Sequence, residues 1–351
     1  MTAGATPAPT NGAAALARVT TLLLCLLGCA TTGRERAAPA GGAEAIVDPP
    51  VRPGVPTLLI AMPGSPNFLE VRRSLVAEVQ KTFNVRTLAV GPETTVTELA
   101  SAVETLAPVC VVLMNNATMN LYRQYQVAHP TTPMPPAVLL MASFVEAEQA
   151  RLRRATGIAY EVPGVTAFVN LRAVVGVPVG RVGVVYRPVF RKFVERQTFL
   201  AAKESVELIS VAVPSDVTAI GLRDALHGLA VDSKVDAIWM LNDNGLLRDG
   251  EFIEDAWRAE LRDAKLPLIV GVPNLVEPSA PLATLAVVPD LEALGLQAAN
   301  LLFDLQDDNW HVESHPVELP LSVKTVVDLR LARASFGLRP DALKHIDRPL
   351  E

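Results

Sequence analysis

The residues whose types suit chemistry stand just past the ends of apolar runs. Ser65, Asn115, Asn116, Ser143 and Phe144 follow such runs in the first half of the chain. Tyr186, Arg187, Asp243, Asn244 and Asn274 follow them in the second. Their chemistry is that of binding. The planar fork of Arg187 suits a carboxylate, and the carboxylate of Asp243 suits an ammonium group. Ser65 and Asn115 offer neutral hydrogen bonds, and Phe144 and Tyr186 offer flat faces on which a ring can stack. Ser65, Asn115 and Asn116 also precede helical segments, where the same residue types serve as caps.

Reactive constellations are missing from the sequence. There is no G-x-G-x-x-G after the first apolar run and no G-x-x-x-x-G-K-[ST], so nucleotide cofactors have no motif. There is no G-x-S-x-G nucleophile elbow. His311-Val312-Glu313-Ser314-His315 lacks the Glu directly after the first His that zinc proteases need, and Pro316 opposes a continuing helix. Met240 to Glu251 places Asn242, Asn244, Gly245 and Glu251 as a calcium loop would, but Met240 stands where the first acidic ligand belongs. The expectation is a non-enzyme with no cofactor and no metal. Of the other histidines, His227 is expected at a surface or boundary, and Trp239, inside an apolar strand, in the core.

A repeating order of elements must position these residues. Thr57 to Met62, Val85 to Val90, Val109 to Met114, Ala137 to Met141 and Thr156 to Tyr160 read as strands. Helical spacing fills Phe68 to Lys81 and Thr95 to Leu106. The rhythm restarts with strands at Arg181 to Tyr186, Val206 to Val211, Val235 to Met240, Leu266 to Val270 and Leu282 to Val288. Helices fall at Val189 to Lys203, Asp216 to Leu229 and Phe252 to Ala264. Alternation of this kind builds parallel sheets, and continuous apolar runs suit strands covered on both faces. Two such sets in one chain predict an α/β fold with two Rossmann-like lobes. Ligands of open parallel sheets sit at the carboxyl ends of the strands, so the two lobes would face each other across a cleft.

Half of the 351 residues are hydrophobic, and the mean hydropathy is +0.30. No apolar run reaches the roughly 18 residues of a spanning helix. A formal charge of −6 and 5% aromatic residues argue against nucleic acid as a partner.

The N-terminus carries Arg18, then the apolar stretch Val19 to Leu27, ending in Leu26-Leu27-Gly28-Cys29. That length fits a signal-peptide core. Leu-x-Gly-Cys resembles the lipobox of bacterial lipoproteins. The resemblance implies cleavage after Gly28 and lipid on Cys29, hence a partner in the membrane through the N-terminal lipid. The alternative is an ordinary secretory signal with Cys29 incidental. Residues 30 to about 54 are rich in Ala, Pro and Gly and read as a flexible tether. Of the three cysteines, Cys25 would leave with the signal, and Cys110 is expected as a buried small hydrophobe.

From Val165 to Arg339 the sequence resembles ABC-transporter substrate-binding proteins of the tryptophan/tyrosine-binding type, within the type I periplasmic binding proteins. The likeness rests on Arg181 to Tyr186, on Val235 to Met240 with Asn242-Asp243-Asn244, and on Leu294-Gly295-Leu296-Gln297-Ala298-Ala299. It extends to Pro316 to Pro320, with Asp328 and Ala332 at the spacing of an Asn-x-x-x-Ala helix start. The first lobe departs: Ala142 to Val145 and Gly157 to Tyr160 lack most of the family's turn and glycine features.

The resemblance implies two lobes joined by a three-segment hinge, with crossovers near Tyr160 to Gly164, after Val288 and through Asn309 to Ser322. The expected layout is a signal peptide over 1–28 and a lipidated tether over 29–54. The first lobe would take 55–162 plus 289–308, and the second 163–288 plus 318–345. The implied function is capture of a small amino-acid-like ligand for an ABC permease, in the cell envelope, facing the periplasm or the exterior. The alternative is an envelope lipoprotein that uses the same fold to bind or regulate a protein partner.

Overall fold

Strand β1 (Thr57–Met62) shows why the apolar runs become central strands. Leu58, Ile60 and Met62 point into one core and Leu59 and Ala61 into another, so both faces of the strand are covered. The computed structural model describes residues 46–248, 250–278 and 281–351; the expected signal peptide and Cys29 lie outside them. After β1 come α1 (Pro66–Val79), β2 (Asn84–Ala89), α2 (Val96–Leu106) and β3 (Cys110–Met114). Next are α3 (Asn116–Ala128), β4 (Ala137–Leu140), the short α4 (Val145–Gln149) and β5 (Ala155–Gly157). The strands form one parallel sheet in the order β2-β1-β3-β4-β5. Helix α2 starts at a capping box. The Thr95 hydroxyl accepts from the Glu98 amide, and the Glu98 carboxylate accepts from the Thr95 amide at 2.7 Å.

The chain then leaves this sheet for α5 (Gly164–Val174), β6 (Arg181–Tyr186), α6 (Arg191–Lys203), β7 (Glu207–Ala212) and α7 (Ala219–His227). They are followed by β8 (Ala237–Trp239), α8 (Ala259–Ala264), β9 (Leu268–Val270) and β10 (Leu285–Pro289). The second sheet runs β7-β6-β8-β9-β10, the strand order of the first, and each sheet has its switch point beside its first strand.

Helix α9 (Leu291–Asp307) returns to the first sheet, where Leu294, Ala298, Leu301, Leu302 and Leu305 join the core under β1 and β3. It crosses α1 closely, because a Cβ on Gly295 would stand 2.5 Å from the Val71 carbonyl oxygen. The chain then rejoins the second sheet as β11 (Val323–Asp328), capped into α10 (Leu329–Leu331) by the Asp328 carboxylate on the Leu331 amide. It ends in β12 (Arg348–Leu350).

Three strands of chain therefore pass between the sheets, and they are stitched together. The Ala159 amide donates to the Glu318 carbonyl, and the Glu318 amide to the Gly157 carbonyl, at 2.8 and 2.9 Å. The Asp290 amide donates to the Ser322 carbonyl. From α9, Gln297 donates to the Glu318 carboxylate and the Leu319 carbonyl and accepts from the Leu321 amide. That is what the glutamine of the Leu-Gly-x-Gln-Ala stretch does here.

The structure corrects several details of the sequence reading. The second sheet is mixed, since β11 runs antiparallel to β10. Past residue 345, β12 joins the second sheet by pairing with β11. Strand β5 ends at Gly157, because Ile158 and Ala159 turn to pair with the crossover at Glu318. Helices α4 and α5 have no counterpart in the sequence reading, and α3 is anticipated only as a helical segment after Asn115 and Asn116. Helix α7 begins late, where Thr218 caps it by accepting from the Gly221 amide.

Candidate functional site

The carboxyl ends of β4 and β5 in the first lobe face those of β6 and β8 in the second, and the crossover lies at the base. Asn115 caps α3: its Oδ1 accepts from the Thr118 amide at 2.9 Å. Asn116 holds the loop after β4, donating to the Ser143 carbonyl and accepting from the Ser143 amide, both at 2.9 Å. The next residue, Phe144, takes the left-handed conformation with φ of 57°. Its amide donates to Glu161 Oε1 at 2.9 Å. Fixed from both sides, the Phe144 ring reaches the second lobe. It stacks on Phe190 with centroids 3.9 Å apart and meets Phe193 edge-on at 5.4 Å. The aromatic series continues through Trp239, 6.1 Å from Phe193, to Phe168, which Trp239 meets edge-on at 5.4 Å.

Beside this stack lies a cavity of about 640 Å³. The first lobe lines it with Val145, Glu146, Ala147 and Ala150, the second with Val189, Lys192, Phe193 and Arg196, and the crossover with Leu319. Arg196 and Glu146 pair across the rim at 2.8 Å. On the far side of Phe144 and Glu161 is a small pocket of about 20 Å³, floored by Trp239, Asn242 and Gly271. A space of that size holds about one water.

Glu161 lines both spaces. Burial pushes its carboxyl up to about 7, against the pull of the Phe144 and Glu161 backbone amides, and the charge of Glu146 adds to the rise. The Tyr160 hydroxyl is also raised, first by burial and then by the Glu161 charge.

In the second lobe Arg187 and Asp243 bind each other. Arg187 Nε and Nη2 donate to the two Asp243 oxygens at 2.7 and 2.5 Å, and the Gly245 amide donates to Asp243 Oδ1 at 2.8 Å. The Asp243 hydrogen bond raises the Arg187 guanidinium further above its ordinary value. The Asp243 side chain is 0% exposed. Gly245 is required here, since a Cβ on it would fall 2.3 Å from Arg187 Cζ. Arg187 and Asp243, expected to meet a ligand carboxylate and a ligand ammonium, have each other as partners in the structure.

The remaining expected residues are placed as follows. Tyr186 is buried in the second lobe's core. Ser65, Asn244 and Asn274 are exposed at strand ends. Of the ten expected binding residues, Phe144 lines both cavities and the other nine line neither. Glu161, Phe190, Phe193 and Asn242 were missed. The signal for Asn242 was its neighbour: the loop after β8 was read at Asp243 and Asn244, and the residue before them faces the pocket. Phe190 and Phe193 are three apart at the start of α6, one helical turn, which puts both rings on one face. Trp239 is 6% exposed, Cys110 is buried and free, and His227 holds Glu260 at 2.9 Å from an exposed position. His311 and His315 turn to Asp308, and among the described residues no cluster of three or more potential metal ligands occurs. No helix among the described residues is long and apolar enough to cross a membrane.

No family model matches the sequence, and no curated protein does. Solved structures do match. The chain is similar to a ligand-free, open substrate-binding protein with adhesive properties from Clostridium difficile. The identity is 14%, 85% of this chain and 99% of that one are covered, and the TM-score is 0.61. It is similar to a conserved domain protein from Vibrio cholerae at 18% identity, covering 84% and 99%, with a TM-score of 0.55. It is also similar to an ABC domain from Streptococcus pneumonia in complex with L-Trp, at 15% identity, covering 84% and 100%, with a TM-score of 0.53. The likeness is one of fold: the chain shares with these proteins a two-lobed α/β architecture.

Proposed function

We propose that this protein is an exported solute-binding lipoprotein. It captures a small, amino-acid-like organic molecule between its lobes and presents it to an ABC permease. The observation that carries the reading is the cavity of about 640 Å³, walled by both lobes and by the crossover that joins them. That volume falls within the roughly 300–1,000 Å³ of small-molecule sites, and its lining is mostly apolar with a few polar groups. Closure of the lobes on a ligand would bury it on all sides. The reading is one of binding, with no catalytic role. The L-Trp complex of the streptococcal neighbour makes aromatic amino acids the first compounds to try.

The lipobox-like Leu26-Leu27-Gly28-Cys29 supports anchorage through lipid on Cys29 at the cell envelope. Replacing Cys29 by Ala should release the protein from membranes into the soluble fraction.

A second reading, a lobe pair that holds a protein partner, is favoured by Phe144, whose ring fills part of the cleft by stacking on Phe190. Thermal melts of a fragment from residue 46 against amino acids, amines, nucleosides, sugars and small carboxylates separate the two. A ligand at one hundred times its Kd adds about 2.7 kcal/mol of stability. A shift with any compound supports solute capture; none across the panel favours the protein-partner reading.

A further inference from the structure

We propose that Glu161 is the charge-recognising residue of the cleft, and that its ligand carries a protonated amine on an apolar or aromatic body. This rests on the solute-capture reading and names the ligand class of that site.

Asp243 has its carboxylate held by both nitrogens of the Arg187 fork and by the Gly245 amide. A ligand ammonium would have to displace a bidentate guanidinium to reach this buried carboxylate. Arg187 is equally committed, so neither member of this pair is open to a solute.

Glu161 stands differently. It faces the large cavity and the small pocket, and backbone amides alone favour its charged form: that of Phe144 donates to Oε1, and its own amide also favours the carboxylate. Among the described residues, no lysine, arginine or histidine pairs with it. The charged groups around it come from three directions. Glu146 on α4 is of like sign. Lys192 and Arg196 on α6 line the same cavity but are exposed, and Arg196 is paired with Glu146. Tyr160 adjoins it, and the β8 and β9 side presents neutral Asn242 and Gly271.

The inner end of the cleft thus has one ionisable carboxyl set among Phe144, Trp239 and aliphatic side chains. An unpaired carboxylate in such surroundings is costly, and a cation brought to it removes that cost. The body attached to the cation would lie against the Phe144, Phe190 and Phe193 rings and the alanines of α4, which offer no partner to a polar ligand body.

Three compounds that share a phenyl ring and differ in charge test this: 2-phenylethylamine, L-phenylalanine and 3-phenylpropanoate. Calorimetry on the wild-type fragment should give binding of the two amines and at least about tenfold weaker binding of the acid. The affinity for 2-phenylethylamine should rise by about tenfold or more from pH 5.5 to pH 8, because the cation binds the ionised form of Glu161. Glu161→Gln keeps an oxygen for the Phe144 amide. It should weaken amine binding by about 10- to 100-fold and leave its pH profile flat.

The proposal is overturned if 3-phenylpropanoate binds as well as the amines, or if the wild-type profile is flat or falls with pH. It is also overturned if Glu161→Gln binds 2-phenylethylamine like the wild type. In each of those outcomes a solute still binds and the capture reading stands. If neither these compounds nor the wider panel binds, capture itself fails and this proposal with it. The wild-type pH profile needs no variant, so a poorly folding substitution does not shield the idea.

Discussion

Two carboxylates, Asp243 after β8 and Glu161 on the crossover out of the first lobe, are held in different ways. Asp243, in the second lobe, has two guanidinium nitrogens and a backbone amide on its oxygens. Glu161, where the chain leaves the first lobe, has the Phe144 amide and an aromatic wall, and its carboxyl is raised to about 7 by burial. The same functional group is finished in one place and unfinished in the other. A finished ion pair shapes a loop, holding the turn after β8 against the end of β6. An unfinished carboxyl beside a cavity has capacity left for a partner that the chain does not supply. Ion pairing within the protein and recognition of a ligand compete for the same groups, and this fold has settled the competition differently on each side.

The contrast breaks most readily at Arg187. Arg187→Ala leaves Asp243 buried without its counter-ion, a change that costs about 3–5 kcal/mol for fully buried pairs. The Arg187 side chain is 24% exposed, so the low end of that range is expected in urea unfolding. A loss under about 1 kcal/mol would mean that the Gly245 amide and water suffice for Asp243. The distinction between the two carboxylates would then be lost.

The next effect is one of pH. The Glu161 carboxyl titrates near 7 in the folded protein, against an ordinary value of 4.5. Below 4.5 both folded and unfolded states hold the proton, and the residue costs nothing. As pH rises, the unfolded state ionises first, so stability falls until the folded carboxyl also ionises near 7, and is level above that. Glu161→Gln has no such slope. The variant should match the wild type near pH 4.5 and exceed it by about 3 kcal/mol at pH 8, read from urea midpoints at each pH. An equal pH dependence in both proteins would show Glu161 to be well solvated.

Gly245→Ala probes the finished side more gently. Its Cβ would enter the space of the Arg187 guanidinium, 2.3 Å from Cζ. The fork must shift, at a cost of about 1–2 kcal/mol, within the usual range for overpacking. Combining it with Arg187→Ala should recover most of that loss, because the clash is then gone.

Much of this architecture is legible in the sequence because buried parallel strands write themselves as continuous apolar runs. TLLIAM at β1 and RVGVVY at β6 were bounded to the residue. β11 was missed because VKTVVD mixes a lysine, a threonine and an aspartate into an edge-side strand whose N-terminal residues are only half-buried. The site was far less legible. Position after a strand end selects residues near the cleft, but it does not say whether two of them will consume each other. Arg187 and Asp243 lie 56 residues apart in sequence, and nothing local announces their pairing. Glu161 directly follows the run Thr156 to Tyr160, but the strand itself ends at Gly157 and the chain there is already a crossover, so its nearness to Phe144 and to the second lobe is not written in the local sequence.

The smallest effect tests whether Phe144 belongs to the unfinished side or closes it. Its ring joins the lobes through Phe190 at 3.9 Å and Phe193 at 5.4 Å, while its amide occupies Glu161. Phe144→Leu keeps apolar bulk and the amide but removes the ring contacts, which are worth about 0.5–1.5 kcal/mol beyond the area they bury. A loss of about 1 kcal/mol in thermal unfolding is expected without ligand. If the ring is a surface for the solute, the loss should grow when a saturating amine is present, since the leucine then also forfeits stacking on the ligand. If the ring is a latch that fills the place of the solute, the sign reverses: the variant should bind the amine more tightly than the wild type, and added ligand should narrow the difference in stability. The direction of that change with ligand decides whether the aromatic stack and Glu161 act on one bound molecule or whether Phe144 must move before Glu161 can be reached.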